Sequence, residues 1–137
     1  MGDWVKQAAE KQHREERFPI AAQAFWRTLL VAIQKDVRAI RRVFGYQIEC
    51  RLDEGILRVN KSVLPGAVDL TVRLNVSHRN LGIDCWRCRG SNTPANRTQQ
   101  RLVLEWGEGD SLYALHRGER LQPEAVSELL LSPITEN

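Results

Sequence analysis

VDLTVRLNVS, residues 68–77, alternates apolar and polar side chains without a break. Val68, Leu70, Val72, Leu74 and Val76 fall on one side, and Asp69, Thr71, Arg73, Asn75 and Ser77 on the other. A period of two sends successive side chains to opposite faces of a pleated ribbon, so this stretch predicts a strand with one dry face and one wet face. Antiparallel sheets accept that asymmetry, whereas parallel sheets are covered on both faces.

The flanking sequence repeats the pattern. Upstream, Tyr46, Ile48, Cys50 and Leu52 alternate with Gln47, Glu49, Arg51 and Asp53, and Asp53-Glu54-Gly55 turns the chain into a second run over residues 56–63. Leu64-Pro65-Gly66 has the composition of a turn. Downstream, Arg79-Asn80 turns again and residues 81–88 return. Residues 90–99, GSNTPANRTQ, read as a loop. Residues 101–106 and 111–117 then flank Gly107-Glu108-Gly109-Asp110 as a hairpin. Connections this short join antiparallel neighbours, because a parallel pair needs a long crossover.

The dry face needs a cover, and the preceding residues supply one. Across residues 19–44, Ala22, Phe25, Trp26, Leu29, Ile33, Val37, Ile40 and Phe44 recur at steps of three and four, an apolar stripe at helical period. Arg27, Gln34, Arg38 and Arg41 lie opposite, and Gly45 suits the helix end. Before Pro19, residues 3–17 form a mostly polar helix, and Pro19 is expected to restart or kink it. A last helix starts at Pro123 with Val126, Leu129 and Leu130, and Ser132-Pro133 is expected to stop it. The expected fold is α+β: a long N-terminal helix packed on one face of a mostly antiparallel meander of about six strands, closed by a short C-terminal helix. One domain is expected over residues 1–137, with residues 1–17 projecting from a body formed by 18–134.

Hydrophobic residues make up 42% of the 137 and charged residues 27%, a balance that allows a buried core and argues against disorder. A net charge of +3 does not by itself call for a polyanionic partner, but its distribution is uneven: +4 over residues 1–44, +3 over 45–100 and −4 over 101–137. No run of 18 apolar residues exists, so no membrane partner is expected. The N-terminus lacks the apolar segment of a secretory signal, and three cysteines suit no disulfide framework, so a reducing cytoplasm is the expected location.

Reactive chemistry is hard to find. His13, His78 and His116 are scattered, and no nucleophile elbow or phosphate-cradling glycine loop occurs. The DCWRCRG stretch, residues 84–90, holds Cys85 and Cys88. On a strand their odd offset sets them back to back, Cys85 as a core residue and Cys88 as a partly exposed thiol. A metal site at Cys85 and Cys88 needs the strand to end near Asp84 and needs two further ligands from Cys50 or the histidines. No cofactor is expected. Arg51 and Arg73 lie on the wet side of their strands with Trp86, a combination that can hold single-stranded nucleic acid: charge follows phosphate and the ring stacks a base. Against it, Glu49, Asp53 and Asp69 share that face and repel phosphate. Trp4 and Val5 are the large apolar residues of the first helix, and a polar helix so supported suggests something to meet.

The leading expectation is therefore a non-catalytic binding protein that engages a protein partner or a second copy of itself, through Trp4 and Val5 or through a free sheet edge. Nucleic-acid binding through Arg51, Arg73 and Trp86 is one alternative. A small-ligand or enzymatic site is another, since catalytic partners need not be neighbours in sequence.

Overall fold

Seven strands pair in chain order, each antiparallel to the next, in a computed structural model that describes residues 2–62, 67–75, 81–90, 94–109 and 111–135. They are β1 (Ile48–Asp53), β2 (Ile56–Lys61), β3 (Val68–Asn75), β4 (Gly82–Arg89), β5 (Arg97–Trp106), β6 (Leu112–His116) and β7 (Glu119–Leu121). Helix α1 (Asp3–Phe44) precedes the sheet and α2 (Pro123–Thr135) follows it. The architecture is α+β, with one strand more than the alternation suggested. That strand, β7, is three residues long and too short for its period to register. It is created by a two-residue turn at Arg117 (φ 48°) and Gly118 (φ 81°). Two successive left-handed residues match the twist of a tight hairpin. Glu54 (φ 50°) and Gly55 (φ 77°) make the same turn between β1 and β2.

The core lies between the helices and one face of the sheet. From α1 it takes Ala22, Phe25, Trp26, Leu29, Ile33 and Val37, all buried. From the sheet it takes the inward halves of the alternation, among them Leu57, Val59, Leu70, Val72, Ile83, Cys85, Leu102 and Leu104. Val126, Leu130, Leu131 and Ile134 of α2 complete it. Phe44, expected in the stripe, is half exposed and stacks on Tyr46 with ring centroids 5.2 Å apart.

Two prolines sit inside helices rather than ending them. α1 runs unbroken through Pro19, and α2 runs through Pro133 to Thr135. A proline removes one amide donor and so leaves the carbonyl four residues earlier without its helical partner. Before Pro19 that carbonyl belongs to Glu15, which is exposed and open to water. In α2, burial of Leu130, Leu131 and Ile134 holds the last turn in place, and the sheet serves its C-terminal carbonyls. Arg87 Nη2 donates to Leu130 O at 3.1 Å and Lys61 Nζ to Ile134 O at 3.3 Å. Two cations thus meet the negative end of a helix that has no basic residue in its own last turn. Ser127 Oγ donates to Asp36 Oδ2 at 2.7 Å and ties α2 to α1.

β5 starts at Arg97, inside the stretch whose composition reads as a loop. Thr98, Gln99 and Gln100 have no apolar alternation, but they pair with Arg87, Trp86 and Cys85 of β4, and the ladder supplies what the pattern does not. The expected turns at Leu64-Pro65-Gly66 and Arg79-Asn80, the strand ends at Val63, Val76 and Ser77, and His78 and Asp110 lie outside the described residues. Among the described residues no helix is long and apolar enough to cross a membrane.

Candidate nucleic-acid interface

The helices occupy one side of the sheet, so the outward half of each strand lies on the other side. Register fixes which outward residues are neighbours. Arg51 pairs with Arg58, Arg58 with Thr71, Thr71 with Trp86 and Trp86 with Gln99. This row crosses five strands and holds no carboxylate. On one flank lies the row Glu49, Asn60, Asp69, Cys88, Arg97, and on the other Asp53, Ile56, Arg73, Asp84, Arg101. Rows two residues apart along a strand are separated by about 6.7 Å. The acids that share this face with Arg51 and Trp86 are therefore confined to the flanking rows.

Two of those four acids are already engaged. Asp84, buried on the outward side, lies 3.6 Å from Arg73 Nη2 and 3.7 Å from Arg101 Nε, and it accepts from Asn75 Nδ2 at 3.2 Å. Asp69 accepts from Asn60 Nδ2. The Arg73 guanidinium also stands 5.4 Å from the Trp86 ring centre, within cation–π range, and steadies the ring from the flanking row. Trp86 is half-buried and stays outside the core cluster. A concavity of about 530 Å³ opens here; Arg51, Arg58, Arg97, Thr71 and Trp86 line it, and Glu49, Asp53 and Asp69 line its flanks. Towards β7 the face changes character: Tyr113 Oη donates to Glu105 Oε2 at 2.9 Å, which pushes the phenol pKa up, and Arg120 sits 4.8 Å over the ring.

Arg51, Arg73 and Trp86 thus share one face, with Arg51 in the row of Trp86 and Arg73 beside it. Sequence reasoning missed Arg58 and Arg97. Arg58 was legible, since it alternates with the buried Leu57 and Val59. Arg97 was hidden by the polar composition around it. Arg87 and Arg89 of β4 have the opposite parity, opposite the core residues Leu70 and Val68, and Arg87 reaches Leu130 O of α2.

Trp4 is 73% exposed and Val5 half-buried, and both belong to the helix layer rather than to the open face. β4 pairs without interruption through Cys85 and Cys88, so their side chains leave opposite faces with Cα atoms about 10 Å apart. Two such thiols cannot converge on one ion. Cys88, expected to be partly exposed, is buried at 8% exposure. Among the described residues no group of three potential metal ligands converges. His116 is occupied by Gln100, whose Nε2 lies 2.8 Å from Nδ1. No family model, curated protein or solved structure matches the chain.

Burial pushes the Cys85 thiol from its ordinary 9.0 up to about 12, against the opposing pull of Arg87 and with a smaller push from Asp84. A pKa raised on folding contributes stability that is complete below pH 9 and is lost as pH climbs from 9 towards 12. Iodoacetamide at about pH 8 is therefore expected to leave Cys85 unmodified in the native protein and to label it in denaturant, read by peptide mass spectrometry. Native labelling of Cys85 would mean that β4 opens readily.

Proposed function

We propose that this chain is a non-catalytic binding protein and that its working surface is the open face of the sheet, occupied by single-stranded nucleic acid. The observation that carries the reading is the row Arg51, Arg58, Thr71, Trp86, Gln99, which combines positive charge, a hydroxyl, an aromatic ring and an amide without a carboxylate. Guanidinium groups suit phosphate, and an indole stacks on any base, so the chemistry favours a single strand over a duplex whose bases are enclosed.

Fluorescence anisotropy with labelled oligothymidylate and oligouridylate tests the proposal. Binding is expected for at least one of them at about 50 mM salt, and it should weaken steeply by about 200 mM as counterions return to the phosphates. Affinity that ignores salt, or none at low salt, would remove the proposal.

A second reading keeps self-association through the start of α1. Residues 3–16 are exposed apart from Val5, and Trp4 stands at the tip. A helical stretch of that length is marginal without tertiary support, so a second copy packed along it would stabilise it. Light scattering is expected to report a dimer for the whole chain and a monomer after deletion of residues 2–17. An unchanged mass after deletion would take the first helix out of the account.

A further inference from the structure

Arg51 and Arg58 face each other directly across β1 and β2, on the outward side, and both are exposed. Among the described residues neither guanidinium is paired with a carboxylate. Like charges in directly opposed positions destabilise an antiparallel pair. The neighbouring arginines of the face are treated differently: Arg73 and Arg101 converge on Asp84. Two opposed, uncompensated guanidinium groups form an anion site with fork geometry on both sides.

Resting on the reading that this face binds a single strand, the geometry points to a specific path for it. The strand crosses the sheet along the carboxylate-free row, perpendicular to the β-strands. One phosphate lies between Arg51 and Arg58, the Thr71 hydroxyl donates to the backbone next to it, and the following base stacks on Trp86. Two strand spacings separate Arg58 from Trp86, about 10 Å, enough for a phosphate and the base of an adjacent nucleotide to be held at once. The whole row spans about 19 Å across five strands. The footprint is then about four nucleotides, the short end of what single-strand binding sheets cover. Glu49 and Asp69 on one flank and Asp53 on the other carry the negative charge nearest the path, Asp84 being engaged by Arg73 and Arg101, so a phosphate is favoured on the row rather than beside it.

The experiment is a salt titration of oligothymidylate binding for the wild-type chain and for Arg51→Ala, Arg58→Ala and Arg97→Ala. Each phosphate contact contributes about 0.7 to the slope of log affinity against log salt for a single strand. Arg51→Ala and Arg58→Ala are each expected to lower that slope by about 0.7 and to weaken binding about tenfold, while Arg97→Ala changes it less. Both row variants should unfold at the same temperature as wild type or higher, since each relieves a like-charge pair. Oligomers of about 4 nucleotides should bind nearly as well per site as those of about 12. If wild type binds but Arg58→Ala keeps the full slope, or Arg97→Ala loses as much, the path is wrong and the open-face reading stands. If wild type binds no single strand at low salt, both fall.

Discussion

Replacing Trp86 with alanine is expected to weaken binding of a single-stranded oligonucleotide by about 5- to 150-fold, the equivalent of about 1–3 kcal/mol for one lost base stack. The effect should be large because the row offers a single ring. Its other members are two arginines, a threonine and a glutamine, which can hold a backbone but cannot replace an aromatic face. Phenylalanine at the same position should restore most of the affinity, since stacking needs the ring and not the indole N–H. Folding should survive the alanine change, because Trp86 stays outside the core cluster. Equal affinities for wild type and Trp86→Ala, with both folded, would separate this residue from binding.

The largest effect on stability is expected from Leu29→Ala, at about 2–5 kcal/mol, for a side chain with no exposed surface in the centre of the α1 stripe. Val31→Ala, two residues further along the same helix, should cost no more than about 0.5 kcal/mol, because Val31 is 65% exposed. Urea denaturation of the two variants measures the contrast. It depends on which side of α1 faces the sheet, and similar losses for both would mean that the helix is turned or that both its sides are covered in solution.

Much of this architecture was legible because its strands alternate cleanly. Residues 68–75 could be read as a half-covered strand, and the stripe from Ala22 to Val37 named its own cover. What escaped had local patterns weaker than its tertiary environment. β7 is too short to show a period, and the first residues of β5 are polar throughout, held by pairing with β4. Pro19 and Pro133 looked like helix breaks, but α1 continues past the exposed Glu15 and the packing of Leu130, Leu131 and Ile134 holds the last turn of α2. The candidate site was half legible. Alternation assigned Arg51, Arg73 and Trp86 to one side, but alternation within a strand says nothing of register between strands. Glu49, Asp53 and Asp69 therefore looked mingled with the arginines. Cross-strand pairing sorts them into separate rows, and that sorting changes the electrostatic argument.

Amide chemical-shift mapping during titration with oligothymidylate tests the central claim most directly. The account predicts shifts concentrated in β1 to β5 around Arg51, Arg58, Thr71, Trp86 and Gln99, with the amides of α1 unmoved. Shifts confined to the first turns of α1 around Trp4, or spread over the helix layer with the sheet silent, would contradict it.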